Sequence, residues 1–185
     1  MDWKTAFKRV QQGSYSPVYL CYGTEKYLLR QFIQQLTEKW IEPEHLEWAR
    51  TVYDLHEIPI GHVLEDAQTP PFLVPKKLIL AQNATFCTGK DASKVEHQID
   101  ALLDYLNHPV DSTVLIMTVH AEKLDARKKV VKQLKKLDAI IPFQTLRAGE
   151  LHVWLNNLAS KANVAIEDQA IQKLTVLAGT NLETL

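Results

Sequence analysis

Along the first 143 residues, short runs that are apolar throughout alternate with longer stretches in which apolar residues return every third or fourth position. The first rhythm predicts strands buried on both faces, the second amphipathic helices. Trp3, Ala6, Phe7 and Val10 share one stripe of a short helix that Gly13 ends. Beyond Tyr15-Ser16-Pro17, residues 18–22 read as a strand and Gly23-Thr24 as a tight turn, followed by a helix with Leu28, Phe32, Leu36 and Trp40 inward. The alternation continues with a strand over 46–52, a helix over 59–68, a proline-rich link at Thr69-Pro70-Pro71 and a strand over 77–81. A polar loop near Thr88-Gly89-Lys90 leads to a helix over 92–107, with Val95, Ile99, Leu102, Leu103 and Leu106 inward. A strand over 113–119, a helix over 125–137 and a strand over 139–143 complete the series. Strands apolar on both faces, each followed by an amphipathic helix, imply a mostly parallel sheet covered on both sides. The expected class is therefore α/β, doubly wound.

After Phe143 the strand signal stops. Leu151, Trp154, Leu155 and Leu158 mark one helix, Ala170, Ile171, Leu174 and Leu177 a second, and Leu182 the start of a third. The expected organisation is an α/β domain over 1–143 and a small all-α domain over 144–185, cut short at its end. With 46% hydrophobic and 23% charged residues among 185, the chain has apolar material for one full core plus such a unit. A formal net charge of -1 gives no global electrostatic pull towards nucleic acid, so any such contact must be local. The N-terminal segment is charged throughout and no apolar stretch approaches bilayer length, so neither a signal peptide nor a membrane anchor is expected. Cys21 and Cys87 lie far apart, and Cys21 sits in an apolar run, which fits reduced thiols and a cytoplasmic protein.

A strand, glycine turn and helix at the start of an α/β domain is where P-loop enzymes hold phosphate. That motif needs two glycines bracketing four residues, then Lys and Ser or Thr. The turn here, Cys21-Tyr22-Gly23-Thr24-Glu25, offers one glycine and opens its helix with an acid. The acid-tipped strand that would hold magnesium is also missing: the apolar run at 113–119 ends at Val119-His120, with Glu122 beyond it in what reads as a surface loop. The seven histidines are scattered without zinc spacing, and Ser14 and Ser16 lack a nucleophile context. No cofactor, metal or catalytic residue is expected, and a binding or mechanical role follows.

Three segments in order, VYLCYGTEKYLLRQFIQQL, AQTPPFLVPKKLILAQNATF and EKLDARKKVVKQLKK, resemble the delta subunit of the bacterial sliding-clamp loader. The first matches that family's strand, glycine, acidic residue and helix; the second its helix end, apolar tip, basic pair and strand; the third its turn into a lysine-rich helix. The resemblance implies a RecA-like domain of the AAA+ type followed by a helical lid domain, without a working nucleotide site. It also implies a role in opening the clamp for loading onto primed DNA, as part of DNA polymerase III. The implied partners are the sliding clamp (beta subunit), the other loader subunits and, indirectly, primed DNA.

The family's clamp-binding tip falls on Pro71 and Phe72, with Leu73 and Val74 following. Proline stands at 71 where the family often has leucine, which shifts the contact onto Phe72. Read from residue type alone, Phe72 is a core residue at the start of a strand. Pro70, Pro71 and Pro75 favour a stiff protruding loop instead, because each fixes its own φ and biases the residue before it towards extended geometry. The helix at 125–137 carries Arg127, Lys128, Lys129, Lys132, Lys135 and Lys136 beside an apolar stripe of Leu124, Val131, Leu134 and Leu137. A solvated outer helix is its ordinary reading, and DNA contact through Arg127, Lys128 and Lys132 the alternative. Two rival functions remain: a P-loop ATPase with an unusual loop, and a scaffold of the same fold with no clamp partner.

Overall fold

The computed structural model describes residues 1–90 and 93–185. Helix α1, Trp3–Gln11, starts where the Asp2 carboxylate accepts from the Thr5 amide, and it stops before Gly13, whose φ of 75° reverses the chain. Strand β1, Val18–Gly23, leads into α2, Lys26–Trp40. A 3-10 turn at Pro43–His45 and the one-turn helix α3, Leu46–Ala49, precede β2, Arg50–Asp54. Helix α4, Ile60–Gln68, and β3, Lys77–Gln82, follow. Next come α5, Ile99–Asn107, and β4, Thr113–Val119. Then α6, Lys129–Lys136, β5, Ile140–Phe143, α7, Ala148–Lys161, and α8, Asp168–Ala178, complete the chain.

All five strands run parallel in the order β2-β3-β4-β1-β5. This is the α/β arrangement expected from the alternation of apolar runs and amphipathic stretches. Helices α4, α5 and α6 cover one face, with Leu64, Leu102 and Leu134 set against Ile79 and Leu115. On the other face, α1 and α2 bury Val10, Phe32 and Leu36 against Leu78, Ile116 and Ile141. Leu151, Leu155, Ile171 and Leu182 join that second cluster, so the helical segment after Phe143 shares a core with the sheet. Both cysteines are buried, and burial pushes the Cys21 thiol far above its ordinary range. Among the described residues, no helix is long and apolar enough to cross a membrane.

Several boundaries differ from the sequence expectation. Residues 46–49 are helical, and β2 begins only at Arg50, because Pro43 opens a helical turn that places Leu46 and Trp48 outward. The helix expected from 92 starts at Ile99; Ala92 lies outside the described residues, and residues 93–98 are not helical. The Ser93 hydroxyl there bonds the Leu55 and Val95 carbonyls, offering the backbone a turn in place of a helix. Asp125 delays α6 in the same way by accepting from the Arg127 amide, so the helix starts at Lys129. Leu137 is exposed, as are Leu158, Leu174 and Leu177, all four expected on inward stripes. Residues 182–184 form a turn, yet Leu182 is buried.

Candidate partner-binding site

Helix α4 ends because two prolines follow it. Pro70 pushes Thr69 into extended geometry, with φ -70° and ψ 123°, while the Thr69 hydroxyl closes the last turn on the Glu65 carbonyl at 2.8 Å. The chain then crosses from α4 to β3 through Pro70–Lys76, at the N-terminal edge of the sheet. Phe72 stands at the crest with 96% of its surface exposed, and Leu73 beside it is 67% exposed. Pro71 is half-buried. Val74 departs from its expected place: it is only 9% exposed and packs into the core beneath α2. It therefore holds the loop from inside and offers no outward contact. Solvent around a free phenyl ring is costly, and covering one stabilises a contact by about 1.5–3 kcal/mol.

The base of this loop is fastened by residues that the sequence did not single out. Lys77 is buried, and its ammonium donates to the Thr69 carbonyl at 2.7 Å, to Asp66 Oδ1 at 2.9 Å and to the Asp66 carbonyl. A cation thus sits on the carbonyl end of α4, where the helix dipole favours it. The Asp66 carboxylate is further held by the Tyr53 hydroxyl at 3.1 Å. On the other side of the loop, Trp40 Nε1 donates to the Lys77 carbonyl at 3.0 Å, and Lys76 Nζ lies 4.4 Å from the centroid of the Trp40 ring. The entering and leaving strands of the loop are thereby tied to one another and to the end of α2. No sequence signal marked it, since Lys77 opens β3, Lys77–Gln82, where a charged side chain ordinarily faces water.

At the opposite, C-terminal edge of the sheet lies the turn where P-loop enzymes hold phosphate. Gly23 has a φ of 146°, and a Cβ there would sit 1.8 Å from the Phe143 carbonyl oxygen. Its glycine is explained by close approach of β5 to β1. The Glu25 amide, free to face an anion in a phosphate loop, instead donates to the Phe143 carbonyl at 2.9 Å. Glu25 itself is buried and its carboxylate accepts from the Tyr27 amide at 3.1 Å, so an acidic side chain caps the start of α2. His120 and Glu122 lie exposed beyond the end of β4, as expected of a surface loop.

The basic helix does not converge with the tip. Arg127 and Lys128 follow the C-terminal end of β4, at the sheet edge away from Phe72. The Arg127 guanidinium is engaged twice by Asp125, at 3.0 and 2.8 Å, and this pairing holds the Asp125 carboxyl far below the usual range. Lys128 and Lys132 are exposed. Among the described residues, the one set of carboxylate and imidazole groups close enough to share an ion is Glu42, Glu44 and His45, on the surface turn before α3.

A family model described as DNA polymerase III, delta subunit, matches residues 19–144. The DNA polymerase III subunit delta of Bacillus subtilis (strain 168) is 33% identical over 180 residues, covering 97% of this chain and 52% of its own length. The chain thus spans about half the length of that curated relative. A solved structure of a Bacillus subtilis DNA clamp loader delta protein superimposes with a TM-score of 0.87 at 31% identity, over 98% of this chain and 54% of the other. AMPPCP-bound DnaA from Aquifex aeolicus superimposes with a TM-score of 0.52 at 12% identity, over 98% of this chain and 56% of that one, a likeness of fold alone.

Proposed function

Because the chain belongs to the DNA polymerase III delta-subunit family, we propose that it is the clamp-opening part of a clamp loader and seats Phe72 in an apolar pocket of the sliding clamp. The observation that carries this reading is a phenyl ring 96% exposed on a loop whose two ends are fastened to α2 and α4. Unsupported apolar groups on mobile loops lose much of their binding energy to ordering; a loop already held loses less. Leu73 widens the knob, Pro71 stiffens its approach, and Val74 keeps the backbone from lifting away.

Opening a closed ring requires a difference in affinity between its two states, since a ligand that binds both equally shifts nothing. The chain therefore has to fit the strained or open clamp better than the relaxed one. The other loader subunits would supply ATP energy, and this chain would act in the cytoplasm as the lever. The crowded Gly23 turn and the acid-capped start of α2 support a scaffold without an ATPase site of its own. Residues 144–185 would form its lid domain, after the domain that ends with β5. Primed DNA would be met chiefly through the assembly, with Arg127, Lys128 and Lys132 as outer contacts.

The test is calorimetric titration of the chain with purified clamp. Phe72→Ala should weaken binding about tenfold or more, the loss typical of a central aromatic anchor, with an unchanged circular dichroism spectrum. Leu73→Ala should cost less. An unaltered affinity in Phe72→Ala would favour the scaffold reading instead.

A further inference from the structure

On the face covered by α1 and α2, an open cleft of about 890 Å³ separates these helices from α7. Trp3, Phe7, Tyr27 and Trp154 line it, each only partly buried. Trp3 meets Phe7 edge-on with centroids 6.0 Å apart, and Tyr27 meets Trp154 edge-on at 5.8 Å. In an edge-to-face pair only one face of one ring is covered, so flat apolar surface remains for a further planar group.

The charges around these rings are predominantly positive. Lys4, Lys8, Lys39 and Lys161 border the cleft, all exposed, and none is in an ion pair among the described residues. Lys4 Nζ lies 5.4 Å from the Trp3 ring centroid. The one acidic residue in the lining, Glu150, accepts from the Arg147 amide at 3.0 Å in the cap of α7. On a chain whose net charge is -1, a local group of four ammonium groups against one carboxylate selects an anionic partner.

We propose that this cleft binds single-stranded nucleic acid, with phosphates on the lysines and bases against the aromatic rings. That combination of a positive groove and stacking surfaces is what unpaired strands need. An acidic peptide would satisfy the lysines and leave the rings unused, while a duplex keeps its bases inside its own stack. The site lies on α1, α2 and α7, apart from both the Phe72 tip and α6.

Fluorescence anisotropy with a labelled oligothymidine of about 20 nucleotides tests it. Four phosphate contacts give a salt slope near -2.8, so affinity should fall roughly 50-fold between about 50 and 200 mM salt. The double variant Lys4→Glu with Lys8→Glu should lose about tenfold or more and flatten the slope, and Trp154→Ala should lose about fivefold or more. Lys135→Glu with Lys136→Glu on α6, two exposed lysines, should bind as the parent does. The proposal is overturned if the unaltered chain shows no salt-dependent binding, or if the α6 variant loses binding while the cleft variant keeps it. It is equally overturned if polyglutamate displaces the oligonucleotide as well as unlabelled oligothymidine of equal charge does. Should Trp154→Ala fail to fold, the two pairs of exposed lysine variants, on α1 and on α6, still decide the matter.

Discussion

Replacing Lys77 with methionine keeps the aliphatic stem that fills the space between α4 and β3 and removes only the ammonium. Three acceptors lose their donor: the Thr69 carbonyl, the Asp66 carbonyl and Asp66 Oδ1. They are not equally harmed. The Asp66 carbonyl still accepts from the Thr69 amide, and the Asp66 carboxylate keeps the Tyr53 hydroxyl, with 28% of its side chain open to water. Breaking a fully buried pair costs about 3–5 kcal/mol; partial exposure and the surviving partners bring the expected cost down to about 2–3 kcal/mol. For a chain of this size that corresponds to a melting point lower by roughly 5–10 °C. Urea unfolding followed by circular dichroism should show the midpoint falling with an unchanged m-value. Amide exchange at Thr69 and Lys77 should accelerate in the folded state, because the loop base opens before the rest. A loss below about 0.5 kcal/mol together with unchanged exchange at both amides would refute the idea that this lysine fastens the tip.

Gly23→Ala places a methyl group 1.8 Å from a backbone oxygen at a φ of 146°, so β1 and β5 must separate; we expect a loss of about 3 kcal/mol or more, and a thermal melt within a few degrees of the parent would contradict it. Asp138 is held below its ordinary value of 3.8 first by a hydrogen bond from the N-terminal ammonium group and then by Arg9. A depressed folded pKa contributes stability that is present above pH 3.8 and is lost as the pH falls through the folded value. The urea midpoint should therefore fall less between about pH 5 and pH 3 in Asp138→Asn than in the parent, and identical falls would count against the contribution.

The strands β1, β3 and β4 were legible because central parallel strands are apolar on both faces and leave an uninterrupted run in the sequence, and β5, although at an edge, was legible because residues 139–143 are still a continuous apolar run. Strand β2 was misplaced for the complementary reason. It is an edge strand with Val52 half exposed, so no continuous run marks it, and the apolar Leu46 and Trp48 drew the expectation upstream. The start of α6 was misjudged because periodicity does not register a carboxylate that binds its own backbone two residues on, as Asp125 does. Phe72 shows the limit of hydropathy: its side chain alone argues for the core, and only the flanking prolines argue against it. Lysine at 77 carries no sequence mark of its burial, because a charged residue at a strand end ordinarily faces water. Its role emerges only when Asp66 and Thr69, distant by 11 and 8 residues, are brought to the same ammonium.

The claim at the centre is that the ring at position 72 enters a pocket of a ring-shaped partner. Replacing Phe72 with the photoreactive p-benzoyl-phenylalanine and irradiating the chain with purified clamp addresses it at the residue concerned. A crosslink from position 72 to an apolar pocket on the clamp, suppressed by excess unlabelled chain, is the expected result. No crosslink to the clamp, or one confined to this chain's own residues, would contradict it.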